Sequence, residues 1–383
     1  MTTLVLITGG AGFIGTHTAR LLVARGWRVR VLDNLCPQVH GPAAEPPDDL
    51  PAEVEFIRGD VTDRNAVRAA LDGASAVLHL AALTGVTQSM HELESYANTN
   101  VTGTACIWDV IAGDRIRLDQ FVLASTRAVY GEGAYQCPCQ NLILHPHPRS
   151  PDQLRRGQWD PLCTACGSPM TPVPTSEDIP PSALSVYALT KVFQEQLCRQ
   201  MADLTGTPLV TLRYFNVYGP NQALRNPYTG IAPVFCTQLM QGHPASLFED
   251  GLATRDFIHV RDVATANWLA LNYRGTRPGV FNIGSGCPTT IEDLARVIGL
   301  ALGVPHRVEH TGRYRVGDIR SCYADTARAA KELGFKAGIG LNAGVCDLVA
   351  WVSGQALPRG AFESATADLA ERGLIRVVAP IDG

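Results

Sequence analysis

Leu4-Val5-Leu6-Ile7-Thr8-Gly9-Gly10-Ala11-Gly12-Phe13-Ile14-Gly15 decides how this chain is read. The first five residues are apolar and partly β-branched, the composition of a buried strand. The glycines then mark a turn, and Thr16 to Arg25 reads as a helix that stops at Gly26. Trp27 to Leu32 alternates into a second strand ending at Asp33, 18 positions after Gly15. A glycine fingerprint alone is a weak signal. Set between a strand and a helix, with an acid closing the next strand, it is the context dinucleotide binding requires. Gly9 permits the tight turn, Gly12 lets the backbone approach a pyrophosphate over the helix N-terminus, and Gly15 lets the helix pack closely. Asp33 can accept hydrogen bonds from both ribose hydroxyls and would repel a 2′-phosphate. NAD is therefore expected over NADP.

The same alternation continues outward. Val54 to Asp60, Ala76 to Ala81 and Phe121 to Ser125 read as buried strands, separated by helices near 64–71 and 95–112. Leu209 to Tyr214 and Val280 to Ile283 read as further strands, and Pro233 to Gly242 and Thr290 to Leu302 as helices. Apolar strands alternating with helices imply a parallel sheet covered on both faces, an α/β doubly wound fold. The 383 residues suggest two or three folding units, and 46% hydrophobic against 18% charged residues suits a large core. A net charge of −4 gives no footprint for nucleic acid. No apolar run reaches membrane-spanning length, and the N-terminus lacks the basic region of a secretory signal. A cytoplasmic setting is expected, with no membrane partner.

Thr126, in Ser125-Thr126-Arg127-Ala128-Val129-Tyr130-Gly131, falls at the C-terminal end of a strand, where open α/β sheets bind ligands. Tyr187-Ala188-Leu189-Thr190-Lys191 opens a later helix and puts Tyr187 and Lys191 on one face. A nearby ammonium favours a phenolate and lowers a tyrosine pKa from about 10.

With these motifs the chain resembles the extended short-chain dehydrogenases/reductases of the nucleotide-sugar epimerase/dehydratase group. Asp60-Val61, His79-Leu80-Ala81-Ala82, Asn98-Thr99-Asn100, Arg213 to Pro220, Arg255 to Val260 and Phe281 to Gly284 carry the resemblance further, over about residues 1–352. It implies that Thr126, Tyr187 and Lys191 are catalytic. It implies a cofactor groove that includes Gly9, Gly12, Phe13, Ile14, Gly15, Asp33 and Asn34. Asp60 and Val61 would border the adenine, and Leu80, Ala81, Ala82, Asn100 and Tyr214 would add to the lining. Thr84, Arg127, Asn216, Arg255 and Asp318 are the candidate contacts of a nucleotide-sugar substrate, with Arg255 on its phosphates. A homodimer through helices near 95–112 and 187–205 is also implied.

Dehydratase relatives carry an Asp-Glu pair directly after the threonine, and decarboxylating relatives typically keep the Glu. Here those positions are Arg127 and Ala128. Without that proton donor, elimination is disfavoured. The expectation is redox-neutral inversion at carbon 4 through a transient 4-keto sugar. The branch most similar to this chain is that of dTDP-L-rhamnose 4-epimerases, and UDP-hexose or UDP-glucuronate substrates stay open, since Arg127 and Arg225 could meet a carboxylate. A dehydratase or decarboxylase is the alternative reaction, and a non-catalytic NAD-sensing protein the alternative class.

Four of the eleven cysteines, Cys137, Cys139, Cys163 and Cys166, fall in a stretch, 137–181, that holds ten prolines and little apolar periodicity. Four thiolates suit tetrahedral zinc with no open position, and His145 and His147 are reserve ligands. A nearly coreless loop needs such a staple. Structural zinc is expected over free thiols or a disulfide, and the stretch is read as a lid or dimer contact near the sugar pocket. The expected organisation is a NAD-binding part over 1–212, containing the insert 132–181, then a mainly sugar-nucleotide-binding part over 213–352 whose residues 255–285 return to the first sheet. The tail 353–383 is expected to hold a short helix near 361–372 or partial disorder, and no chemistry.

Overall fold

The computed structural model describes residues 3–378 except 43, 140, 225, 227, 229, 276–277 and 358–359. Its centre is a seven-stranded sheet: β1 (Leu4–Thr8), β2 (Arg28–Asp33), β3 (Glu55–Arg58), β4 (Ala76–His79), β5 (Gln120–Thr126), β6 (Leu209–Tyr214) and β7 (Gly279–Ile283). In these labels the order is 3-2-1-4-5-6-7, and every pairing is parallel. This is the doubly wound dinucleotide-binding order with one strand added at the edge.

Side chains alternate across the sheet, and each face has its own core. Val5 and Ile7 pack with α1 (Phe13–Ala24), while Leu6 points the other way, toward α2 (Arg64–Leu71), α3 (Gly103–Gly113) and α4 (Val186–Thr205). A fifth flanking helix, α5 (Val260–Leu271), joins α1 on the first face. A parallel sheet buried on both faces leaves its carboxyl edge as the place where loops gather.

Helix α4 owes its boundaries to local chemistry. Ser185 caps it by accepting from Ala188 N at 3.1 Å, and Gly206 ends it in the left-handed conformation. α1 begins at Phe13, three residues before the expected start, because Gly12 is already extended and serves as the N-cap. The helix expected over 95–112 is interrupted by a π turn at Ala97–Thr102, which carries Asn98-Thr99-Asn100. A second lobe is built from helices Ile231–Met240, Ile291–Leu302 and Leu341–Ser353, which share a core of Phe235, Leu294, Ile298 and Leu348. No helix of the described residues is long and apolar enough to cross a membrane.

The sheet and its covering helices are joined by a buried imidazole. His79 bonds Thr8 Oγ1 at 2.7 Å and Thr104 Oγ1 at 2.9 Å, and burial, reinforced by the Lys191 charge, lowers its pKa to about 3. The unfolded imidazole titrates near 6.5, so this contribution is full above pH 6.5 and is lost as pH falls toward 3. Between pH 7 and pH 5 urea unfolding should show the wild type losing about 2 kcal/mol more than His79→Gln. Equal losses would refute a neutral buried His79.

Candidate active site

Two cavities meet at the carboxyl edge of the sheet. The larger, about 600 Å³, is a groove over β1, β2 and β4. Gly9 (φ +67°) lies so close to the next loop that a Cβ there would stand 2.7 Å from Ala81 Cα. A Cβ on Gly15 would stand 2.5 Å from Gly10 Cα, so Gly15 seats the helix against the turn itself rather than against the sheet. Gly12, the N-cap, makes no side-chain cap, which leaves the first-turn amides of α1 directed at the groove. At the end of β2, Asp33 accepts from Ala11 N at 3.0 Å and Leu35 N at 2.9 Å. Each carboxylate oxygen keeps a further lone pair for a ligand hydroxyl.

Phe13, Ile14, Asn34, Val61, Leu80, Ala81, Ala82 and Tyr214 also line the groove. Two expected contacts do not. Asp60 stands behind the wall, where it accepts from Asn34 and from Thr62. Burial pushes its carboxyl up, but these hydrogen bonds outweigh it and hold the pKa below the ordinary value. Asn100 is fully buried and bonds the backbone of Leu83 and the Thr190 hydroxyl, so it clips the groove wall to α4. A strap the sequence did not reveal crosses the groove. Gln38 and Gln88 exchange amide hydrogen bonds at 3.0 and 3.1 Å, and Gln38 also reaches Asn226. These partners are 50 and 188 residues apart, beyond any local pattern.

The smaller cavity, about 310 Å³, lies beside the groove and is lined by Thr84, Arg127, Asn216, Arg255 and Asp318. Thr84 lines both cavities. Thr126 faces the groove and its neighbour Arg127 the pocket, so the end of β5 is the junction. Arg255 pairs with Asp318 at 2.8 Å, not with the neighbouring Asp256 or Asp262. Asp256 is instead a buried acceptor for Ser285, Gly286 and Ala324. Arg315 adds another cation, stacked over the Phe248 ring at 4.7 Å. Its placement three residues before Asp318 was the available signal. Arg225 lies outside the described residues.

At the junction, Tyr187 and Lys191 are both buried on the inner face of α4. Burial raises Tyr187 to about 12, against the opposing effects of a hydrogen bond with Thr126 and the Arg127 charge. Lys191 Nζ donates to Ala124 O at 2.9 Å, and burial lowers it to about 8. This corrects the expectation that Lys191 lowers the tyrosine. Its ammonium is committed to the β5 backbone, and the cation opposing burial of the phenol is Arg127.

The cysteine-bearing stretch folds around three short strands, Ala134–Gln136, Ile143–Leu144 and Thr171–Val173. Two turns, closed by Asn141 N to Cys137 O and Gly167 N to Cys163 O, bring the four thiols together. Cys137 Sγ lies 3.2 Å from Cys139 and Cys163 and 3.9 Å from Cys166, and all four sulfurs are within 4.8 Å of one another. His145 and His147 are not in the cluster, since His145 bonds Tyr130 O and His147 is exposed. Ion pairs, of which Arg149–Glu249 is buried, tie the stretch to the pocket. Arg149 pairs with Glu249 at 2.9 Å and donates to Asp318 O, while Arg320 pairs with Asp160 and Asp250.

Comparison with known proteins follows the same lines. The model of the NAD dependent epimerase/dehydratase family matches residues 5–154 and 162–284. A dTDP-L-rhamnose 4-epimerase from Burkholderia thailandensis is 39% identical over 352 residues, 91% of this chain and 94% of that one. A UDP-glucose 4-epimerase from Thermus thermophilus, solved with NAD, superposes with a TM-score of 0.74 at 26% identity, covering 92% of this chain and all (100%) of that one. A UDP-glucuronic acid 4-epimerase from Bacillus cereus, solved with UDP-glucuronic acid and NAD, also gives 0.74, at 25% identity and with 92% and 99% covered. The dinucleotide turn, the buried Tyr187–Lys191 face and these matches agree, and the chain belongs to the NAD dependent epimerase/dehydratase family.

Proposed function

We infer that the protein is an enzyme that inverts carbon 4 of a nucleotide-activated hexose, with a dTDP-L-rhamnose-like sugar nucleotide as the leading substrate. The observation that carries this reading is the gathering of Thr126, Tyr187 and Lys191 on one groove wall, where a dinucleotide groove meets an arginine-lined pocket. The groove suits NAD. Uncapped first-turn amides of α1, a Gly9 that a Cβ would jam, and the spare lone pairs of Asp33 fit a pyrophosphate and a ribose. Bound there, NAD supplies hydride acceptance and hydride return.

The chain's own residues do the rest. Tyr187 takes the proton from the 4-hydroxyl and later gives it back, and Thr126 hydrogen-bonds the reacting oxygen. Lys191 holds α4 to the end of β5 and is placed for the cofactor ribose. A phenol raised to about 12 needs more positive charge before it ionises near neutrality. Arg127 contributes part of it, and the oxidised cofactor is the other cation this reading places there. Asn216, Arg255 and Arg315 anchor the diphosphate while the 4-keto sugar turns, the planar forks of arginine being suited to phosphate oxygens. The carboxylates of the sugar pocket among the described residues, Glu249 and Asp318, are both paired with arginines. Neither is free to protonate a departing hydroxyl, which supports epimerization over dehydration. The division of labour that best fits is a NAD part over 1–212 with 255–285 returning to its sheet, and a sugar-nucleotide part over the rest of 213–352.

We further propose structural zinc at Cys137, Cys139, Cys163 and Cys166. Tetrahedral Zn–S bonds of about 2.3 Å put sulfurs about 3.8 Å apart, within the spread of this cluster. All eleven cysteines are thiols, as a cytoplasmic setting would keep them. In this reading the metal shapes the stretch that delivers Arg149 and Asp160 to the substrate loop. A homodimer is proposed through α4, whose outer face exposes Leu189 and Phe193.

Tyr187→Phe should cut turnover by about 10²–10⁴-fold while NAD stays bound. In NMR, a nucleotide sugar deuterated at carbon 4 should keep its label there. Label arriving at carbon 6 with loss of water would mean a dehydratase. Metal analysis should find one zinc per chain, lost in Cys163→Ala and Cys166→Ala together with thermal stability and with a higher KM for the sugar nucleotide. Wild-type protein without stoichiometric metal sinks the zinc reading. Sedimentation should give twice the chain mass, and a monomer at micromolar concentration would exclude the dimer.

A further inference from the structure

The sugar pocket has a wall from the far end of the chain. Phe362, Ala365, Thr366 and Leu369 of helix Ala361–Glu371 all line it. Their spacing of i, i+3, i+4 and i+7 is one helix face. The helix expected near 361–372 is present, and its face gains meaning only beside a pocket, which a linear reading does not show. Beyond Gly373 (φ +70°), Ile375–Val377 pairs antiparallel with Arg313–Arg315, and Val316 N donates to Leu374 O at 3.0 Å. The tail is thus stitched to the strand that carries Arg315 and leads to Asp318.

The same pocket is lined by Val86 and Met90, shortly after Thr84 at the junction. Tyr228 also lines the pocket. Of the pocket's cations, Arg315 lies on the strand paired with the tail, and Arg127 and Arg255 are the others among the described residues. On the reading above, carbon 4 reaches Tyr187 at the junction, and Val86, Met90, Val316, Phe362 and Leu369 are among the apolar lining left for the rest of the sugar.

We propose that the C-terminal segment 361–377 is the specificity wall of the sugar site, its Phe362–Leu369 face selecting a 6-deoxyhexose over a hexose or hexuronate. This rests on the sugar-nucleotide reading above. A methyl group loses nothing against such a wall. A hydroxymethyl must shed water there, and apolar sites discriminate such pairs by about 10–100-fold. A carboxylate fares worse, because the wall's apolar side chains offer it no pairing group.

The test uses the full-length NAD-loaded protein and two substrate pairs that differ only at carbon 6: dTDP-L-rhamnose with dTDP-L-mannose, and UDP-6-deoxy-D-glucose with UDP-D-glucose. Wild type should favour the deoxy member of its accepted pair by about 10–100-fold in kcat/KM. Phe362→Ala and Leu369→Asn should shrink that preference mainly through KM, with NAD content unchanged. A preference untouched in both variants, or a wild type that favours the 6-hydroxyl, overturns the proposal. Hydrogen exchange on the unmutated chain covers the chance that a variant misfolds. Uptake in 361–371 should slow on binding the deoxy sugar nucleotide, more than with its 6-hydroxy partner, and equal or unaltered uptake overturns the wall. Slowed uptake without any epimerization would leave the wall standing and defeat the proposed reaction alone.

Discussion

The hydrogen bond from Lys191 Nζ to Ala124 O fixes the geometry on which the site depends. It joins the inner face of α4 to β5 two residues before Thr126. One turn earlier on the same face, Tyr187 thereby lines the groove together with Thr126. An ammonium this deeply buried is costly unless its hydrogen bonds are made, so the bond also constrains where the helix can sit. The neutral His79 bridge behind it, and Asn100 clipping Leu83 to Thr190, hold the same helix from the other side. Tyr187 is therefore positioned by backbone and core contacts before any ligand is considered.

A second set of buried charges ties together parts of the chain that are far apart in sequence. Arg213 pairs with Glu195 at 2.7 Å and donates to the Tyr130 hydroxyl, which donates in turn to Asn282. These residues join β6, α4, the turn after β5, and β7. Arg149, Glu132, Glu249 and Arg320 do the same for the cysteine-bearing stretch and the loop that holds Asp318. Buried pairs of this kind add little net stability compared with apolar packing, yet losing one partner is expensive. Their effect is to define position, as the proposed diphosphate anchor would require.

Much of the scaffold was legible along the chain. The strands at Leu4–Thr8 and Leu209–Tyr214 and the helix at Arg64–Leu71 have the expected ends, because alternating or helical apolar patterns and their capping residues are local. The cysteine spacing also foretold a convergence, since two tight turns suffice to make it. The site was less legible. Asp60 and Asn100 stand in family motifs, but their side chains brace the groove from behind. The Gln38–Gln88 strap, the Arg315 cation and the tail wall involve partners separated by tens to hundreds of residues.

The amino-acid order by itself determined the doubly wound sheet and the dinucleotide turn, because each depends on residues within a few positions of one another. Tertiary structure decided the electrostatic state and the neighbours of Tyr187 and Lys191. Burial and direction set Tyr187 at about 12 and turned Lys191 toward a carbonyl, and only folding could bring residues 369 and 86 into the lining of one pocket. Desolvation and long-range contact are properties of packed space, and no spacing along a chain encodes them directly.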